Sequence, residues 1–278
     1  MAVNIQDIKA LRELTGAGMA DVKNALDEAG GDKDKAIELI RKRGLAKAAK
    51  REGNTTKEGL VAVKVEQTAD GQVATMIELL AETDFVVKNQ NFLNLAEQVL
   101  DAVAAAKAAD VTAALAVSVG AETVADVVAN AAGTMGEKIV LNQVTRVAGP
   151  AITTYLHKTA NDLPPSLGVV VVTDEAGAAV AKDIAQHIAF ASPVYLKRED
   201  VPAEIVDKER EIAREVSLAE GKPEAALPKI VEGRLVGFFK DCVLLEQPLA
   251  QDTKTTVAKH VESVGGTLIG FARFRVGN

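Results

Sequence analysis

Apolar residues recur at helical spacing three times over residues 4–43. Ile5, Ile8, Leu11 and Leu14 predict a first helix. Thr15-Gly16-Ala17-Gly18 breaks it, with glycines suited to positive φ. Asp21, Val22, Ala25 and Leu26 predict a second helix, stopped by Gly30-Gly31. Asp32 can cap a third, with Ala36, Ile37 and Ile40 on its buried face and Arg41-Lys42-Arg43 at its dipole-favoured end. A unit of about 40 residues is near the lower limit for folding alone, and such units usually bind something. The basic stretch Leu45 to Asn54 has no apolar stripe and reads as a linker. Six basic residues and no acid lie between Arg41 and Arg51, but no aromatic is interleaved for base stacking. A solvated linker, or contact with an acidic partner surface, is the better reading.

Residues 58–82 then alternate like a hairpin. Leu60, Val61, Val63 and Val65 predict one strand, Thr68-Ala69-Asp70-Gly71 a turn, and Val73, Thr75, Ile77, Leu79 and Ala81 the returning strand. A helix with Phe92, Leu95, Ala96, Val99, Leu100 and Val103 on its apolar side comes next, then a second helical region from Ala113 to Ala132, ended by Gly133 and Gly136. Lys138 to Val147 returns as a strand. After Gly149-Pro150 a similar order recurs: strands at Ile152–His157 and Gly168–Thr173, the inner one marked by the valine run 169–172, a helix from Ala178 to Phe190, and a last strand at Thr267–Gly277 that echoes Ile139–Gly149. The second half carries an insertion at about 199–240. Ile205, Ile212, Val216 and Ala219 form one helical stripe and Leu227, Val231, Leu235 and Phe238 another, around a Gly221-Lys222-Pro223 turn. This predicts a projecting helical hairpin, in which Pro228 costs a first-turn hydrogen bond. The expected class is α+β. It comprises a three-helix unit with its linker (1–54), a first core half (55–149), and a second core half with the hairpin (150–278), each half built on a small antiparallel sheet.

Where the second strand meets the next helix stands Thr83-Asp84-Phe85-Val86. Aromatics make up only 3% of the chain, and one is placed here. Two readings are open locally. Thr83 or Asp84 caps the helix and Phe85 is its first buried residue, or Phe85 is carried on a tip and offered to a partner.

Composition narrows the function without naming it. Apolar content of 48% and 26% charged residues over 278 positions describe a soluble globular chain with an aliphatic core. A net charge of -7 gives no general pull toward nucleic acid or anionic membrane. No secretory leader and no membrane span are expected, and the chain reads as cytoplasmic. Cys242 is the only cysteine, which excludes an internal disulfide or cysteine-built metal site. No phosphate-binding glycine loop, GxSxG or HExxH is present. His157, His187 and His260 are scattered. His187, on an apolar helix face, reads as structural, whereas His157 ends a strand beside a polar loop. No catalytic residue, metal ligand or cofactor site emerges.

Two stretches carry a family resemblance. Leu11-Arg12-Glu13-Leu14-Thr15-Gly16-Ala17-Gly18-Met19-Ala20-Asp21-Val22-Lys23-Asn24-Ala25-Leu26 resembles throughout the N-terminal signature of bacterial elongation factor Ts. Glu82-Thr83-Asp84-Phe85-Val86 resembles its second signature. This chain has Leu80 and Ala81 where the family usually has Asn and a small residue, and Val87 where Ala usually follows the Val. Glu232-Gly233-Arg234 and Gln247-Pro248 also look like the family, and the hairpin resembles its actinobacterial branch. The chain stops at Asn278 just after the last strand, so the additional C-terminal helix of some members is expected to be missing.

The resemblance implies nucleotide exchange on the GTPase elongation factor Tu, with no catalytic group or cofactor in this chain. It implies a ubiquitin-associated-like N-terminal domain docking on the GTPase's G domain. Thr83, Asp84, Phe85 and Val86 would be presented to that domain and dislocate its Mg²⁺. Met19, Ala20, Met135, Gly136 and His157 would be further partner contacts. A helical adaptor without exchange activity remains the alternative, and a homodimer through the hairpin is left open. No nucleic acid or membrane partner is implied.

Overall fold

The computed structural model describes residues 4–48 and 51–277. Three helices open the chain: α1 (Ile5–Thr15), α2 (Met19–Glu28) and α3 (Lys33–Ala48). Asn4 caps α1 by accepting the Gln6 N–H, and Gly16 ends it in the left-handed conformation at φ 72°. Ile8, Leu11, Val22, Leu26, Ala36 and Ile40 close a small core of their own. Ile5 and Leu14, which share the first helix's spacing, stay exposed.

The expected linker begins as helix, since α3 runs on to Ala48; Ala49 and Lys50 lie outside the described residues. The cause is a second packing partner, the core helix α7 (Val124–Met135). A Cβ on Gly44 would lie 2.1 Å from the Gly133 carbonyl oxygen, so the two backbones touch where neither has a side chain. Nearby basic residues are paired within the chain: Arg41 with Glu122 and Asn130, Lys42 with Glu38, Arg43 with Glu28. Gly133 thus lies inside α7, and the helix ends at Gly136, φ 79°.

The first core half is a sheet in the order β1 (Glu58–Thr68), β2 (Gly71–Ala81), β5 (Ile139–Gly149). Between β2 and β5 come α4 (Asp84–Val87), α5 (Gln90–Ala106), α6 (Val111–Leu115), a two-stranded ribbon β3 (Ser118–Val119) and β4 (Glu122–Thr123), then α7. That ribbon divides the helical region expected from Ala113 to Ala132. Gly120 turns it at φ 66°, and Thr123 and Asp126 form a capping box that restarts the helix. Phe92, Leu95, Val99 and Val103 of α5 pack on Leu60, Ile77 and Leu79 of the sheet.

The second half repeats this plan with β6 (Ala151–His157), β7 (Leu167–Thr173) and β10 (Leu268–Arg275) in the order β10-β7-β6. In each half a hairpin is followed by helices and a third strand that pairs with the hairpin's second strand. All seven residues of the valine-rich β7 are buried. Its outer face is covered by α8 (Ala181–Ala191) through Ile184, Ala185 and Ile188. The sheets stack on each other through Val61, Ala74, Met76, Val170 and Phe274. Gly168 permits the approach, since a Cβ there would meet Val61 Cγ1 at 2.5 Å. The layers run helix, sheet, sheet, helix. His187 is structural: Ala250 N–H donates to Nδ1, which leaves Nε2–H to donate to Gln247 Oε1 at 2.9 Å.

The hairpin is α9 (Ala203–Ala219) and α10 (Leu227–Cys242), followed by β8 (Pro248–Leu249), β9 (Asp252–Thr256) and α11 (Val257–Glu262). Leu227, Val231 and Leu235 face inward as expected, with Phe239 in place of the half-buried Phe238. On α9 the expected stripe is out of phase by one residue. Ala213 and Ser217 are buried, while Ile205, Ile212, Val216 and Ala219 are exposed. Small residues let α10's larger ones close over them, and the Ser217 hydroxyl is satisfied by the Ala213 carbonyl. Pro228 costs no hydrogen bond, because it sits in the first turn of α10, where N–H groups have no helical acceptor. Among the described residues no helix is long and apolar enough to cross a membrane.

Two outcomes follow from this packing. Gly44→Ala overpacks the helix contact and is expected to cost about 1–3 kcal/mol, seen as faster amide hydrogen exchange across α3; unchanged exchange contradicts the close contact. Glu78, on β2, is 1% exposed and accepts from Asn142 Nδ2 at 2.6 Å. Burial pushes its carboxyl above the ordinary 4.5, opposed by the hydrogen bonds from Asn142 and Gln143. The folded state then binds this proton more tightly than the unfolded chain, so the group's contribution to stability falls as pH rises from 4.5 through the raised value. Glu78→Gln is expected to be more favourable to stability at pH 7.5 than near pH 4.5 in urea denaturation; an equal change at both pH values contradicts it.

Candidate functional site

The site is built where β2 and β5 part. Their last backbone pair is Ala81 with Ile139. Beyond it one chain turns into α4 and the other arrives from α7 through Gly136, Glu137 and Lys138. α4 has four residues, too few to be stable as an isolated helix. Val86 and Val87 hold it down, 8% and 1% exposed, in the core beneath. Phe85, one helical step away, points outward and is 81% exposed. An exposed phenylalanine forgoes about 1.5–3 kcal/mol of burial. Of the two local readings, the buried Phe85 is therefore the one the structure overturns.

The cap reading changes as well. Thr83 occupies the N-cap position, with φ −131° and ψ 156°, but makes no side-chain cap. Its hydroxyl donates to Glu137 Oε1 at 2.5 Å, and its N–H to Glu137 Oε2 at 3.0 Å. Across the gap Glu82 accepts the Lys138 N–H at 2.6 Å and Asn54 Nδ2 at 2.8 Å. Asp84 accepts from Lys88 Nζ at 2.9 Å, and the same ammonium reaches Asp162 at 2.9 Å. The hydrogen bonds that Lys88 donates, to Asp84 first and then to Asp162, raise its pKa.

Most of the sequence-expected contact residues gather on this face. A Cβ on Gly16 would lie 3.6 Å from Met135 Cγ, which sets the turn between α1 and α2 against the end of α7. Gly18 and Gly136 line one small crevice. Met19 and Ala20 are exposed at the start of α2, Met135 and Gly136 are half-buried, and Thr83 and Asp84 are half-buried beside the exposed Phe85. Val86 stands apart from these as a core anchor. His157 lies in the second core half and lines a groove of about 350 Å³ with Tyr155, Phe190 and Arg275; Tyr155 Oη lies 3.2 Å from His157 Nδ1.

Glu137, Lys88, Asp162 and Phe190 did not stand out in the sequence. Phe190 is 81% exposed at the end of α8. Its phase was a usable signal, since it falls off the stripe of Ile184 and Ile188. The acids and the lysine are ordinary surface residues until the fold brings them together. Among the described residues no group of three or more metal-binding side chains is assembled.

The family model "Elongation factor TS" matches residues 82–278, more than half of the chain. Elongation factor Ts of Beutenbergia cavernae is 60% identical over 273 residues, covering 98% of this chain and 97% of that relative. Elongation factor Ts of Renibacterium salmoninarum is 53% identical over 274 residues, with 98% and 97% covered. That of Micrococcus luteus is 54% identical over 275 residues, with 98% of each covered. With an exposed Phe85 inside a matched segment and relatives aligned over nearly their whole length, the chain belongs to the elongation factor Ts family.

Proposed function

We propose that this chain is a guanine nucleotide exchange factor for elongation factor Tu in translation. It acts by binding, with no catalytic group or cofactor of its own. The observation that carries this reading is Phe85, 81% exposed on a helix whose neighbouring valines are buried. The fold gains nothing from an aromatic ring there, whereas a partner cleft does. Residues 1–54 form the unit that docks on the G domain of the GTPase, with Met19 and Ala20 at its contact. The first core half, 55–149, presents Thr83, Asp84 and Phe85 to the same domain, with Met135 and Gly136 beside them and Val86 holding the tip from below. The second half, 150–278, with His157 and the hairpin, reaches another domain.

The energetics follow from the state that is favoured. GDP is held by phosphate contacts and by a Mg²⁺ that demands near-ideal octahedral geometry. A small displacement of its ligands is therefore costly. Burying Phe85 between partner elements contributes about 1.5–3 kcal/mol, and Asp84 directs or attracts a neighbouring group. Where that energy is available only in the displaced state, GDP binding weakens. By reciprocity, GDP and GTP weaken this chain's binding by the same factor.

Release of fluorescent GDP from elongation factor Tu tests the proposal. The wild-type chain is expected to accelerate release. Phe85→Ala is expected to slow it about ten- to hundredfold, the kinetic equivalent of the lost burial, at an unchanged melting temperature. No acceleration by wild type refutes exchange activity and favours an adaptor role; normal exchange by Phe85→Ala refutes the wedge.

A further inference from the structure

We infer that Glu137 is a positioning residue for exchange, one arm of a paired carboxylate clamp that fixes the pose of Phe85. This rests on the exchange reading proposed for Phe85. The clamp arises from a defect in the sheet. Past Ala81 and Ile139 the strands diverge, and the N–H groups of Thr83 and Lys138 find no backbone acceptor across the gap. Each is taken by a glutamate from the segment across the gap. Glu137 receives the Thr83 N–H at 3.0 Å and hydroxyl at 2.5 Å. Glu82 receives the Lys138 N–H at 2.6 Å. Side-chain carboxylates thereby carry the ladder one step beyond its backbone end, in a crossed arrangement.

The second acid extends the connection to residues 52–54. Glu82 also holds Asn54 Nδ2 at 2.8 Å, and Lys138 Nζ donates to the carbonyls of Glu52 and Asn54 at 2.5 and 3.0 Å. The pose of Phe85 is thus braced from three sides. Glu137 holds Thr83 two residues before it, Lys88 ties Asp84 to Asp162, and Val86 and Val87 anchor below. Thr83's hydroxyl, which at an N-cap ordinarily accepts from its own helix, instead donates to Glu137. That exchange of a local cap for a distant carboxylate aims the tip and leaves α4 without its own cap.

GDP release from elongation factor Tu is measured against concentration of the full chain. Glu137→Ala is expected to lower the maximal rate about tenfold, the lower end of the loss expected for Phe85→Ala, with the melting temperature shifted by only a few degrees. Glu137→Gln is expected to recover most of that rate, since its carbonyl accepts the Thr83 N–H and its amide donates to the Thr83 hydroxyl. In the Phe85→Ala background, Glu137→Ala is expected to cost nothing further, because its effect runs through Phe85. A full rate for Glu137→Ala, or an equal loss in both backgrounds, overturns the positioning role. Amide hydrogen exchange of the free chain separates the two layers: Glu137→Ala should speed exchange at Thr83, and unchanged protection there overturns the clamp. A wild-type chain that releases no GDP overturns the exchange reading and the positioning role with it, while protection at Thr83 still judges the clamp.

Discussion

Two antiparallel strands that separate leave amide donors which something must satisfy. Here β2 and β5 part after Ala81 and Ile139, and the carboxylates of Glu82 and Glu137 cross to take the next N–H groups. Nearly everything distinctive about the site depends on that crossing. It allows β2 to run straight into a helix of one turn. It places Gly136 and Met135 beside the same tip, and it joins Asn54, at the far end of the basic stretch, to the start of β5. An exposed phenylalanine on such a short helix has little pose of its own, so its surroundings have to supply one.

The larger architecture supplies the rigidity behind it. Two three-stranded sheets of the same plan stack through an apolar layer, and each carries helices on its outer face. The N-terminal helices are fastened to the first half by the touching backbones of α3 and α7 at Gly44 and Gly133. The turn between α1 and α2, the end of α7 and the Phe85 tip are consequently set on one face. The partner contacts implied by family resemblance, His157 and the buried Val86 excepted, lie on elements packed against one another there, the N-terminal helices with a core of their own.

Much of this was legible in the sequence, for physical reasons. Alternation marked β1 and β2, and the valine run marked β7 as an inner strand, because burial on one face or two leaves its period in the residues. The rarity of aromatics drew attention to Phe85, and the echo between Ile139–Gly149 and Thr267–Gly277 anticipated the duplicated plan. What stayed hidden depends on partners distant in sequence. The one-residue phase error on α9 arose because Ala213 and Ser217 are poor hydrophobic markers, yet α10 needs small residues opposite it. α3 outran its expected end because its last turns pack on α7, and no local signal announces a neighbour from ninety residues away. The ribbon within the alanine-rich region depended on Gly120 and a capping box. Glu137 was invisible because a glutamate after a glycine usually faces solvent, and only the divergence of two strands gives it donors.

The central claim is that Phe85 leaves the surface of this chain to enter the GTPase in the nucleotide-free state. Photo-cross-linking from p-benzoylphenylalanine at position 85 tests it most directly. The account predicts an adduct with elongation factor Tu that forms efficiently without nucleotide and is suppressed by excess GDP. Absence of an adduct when the two proteins demonstrably bind, or an adduct indifferent to GDP, would contradict it.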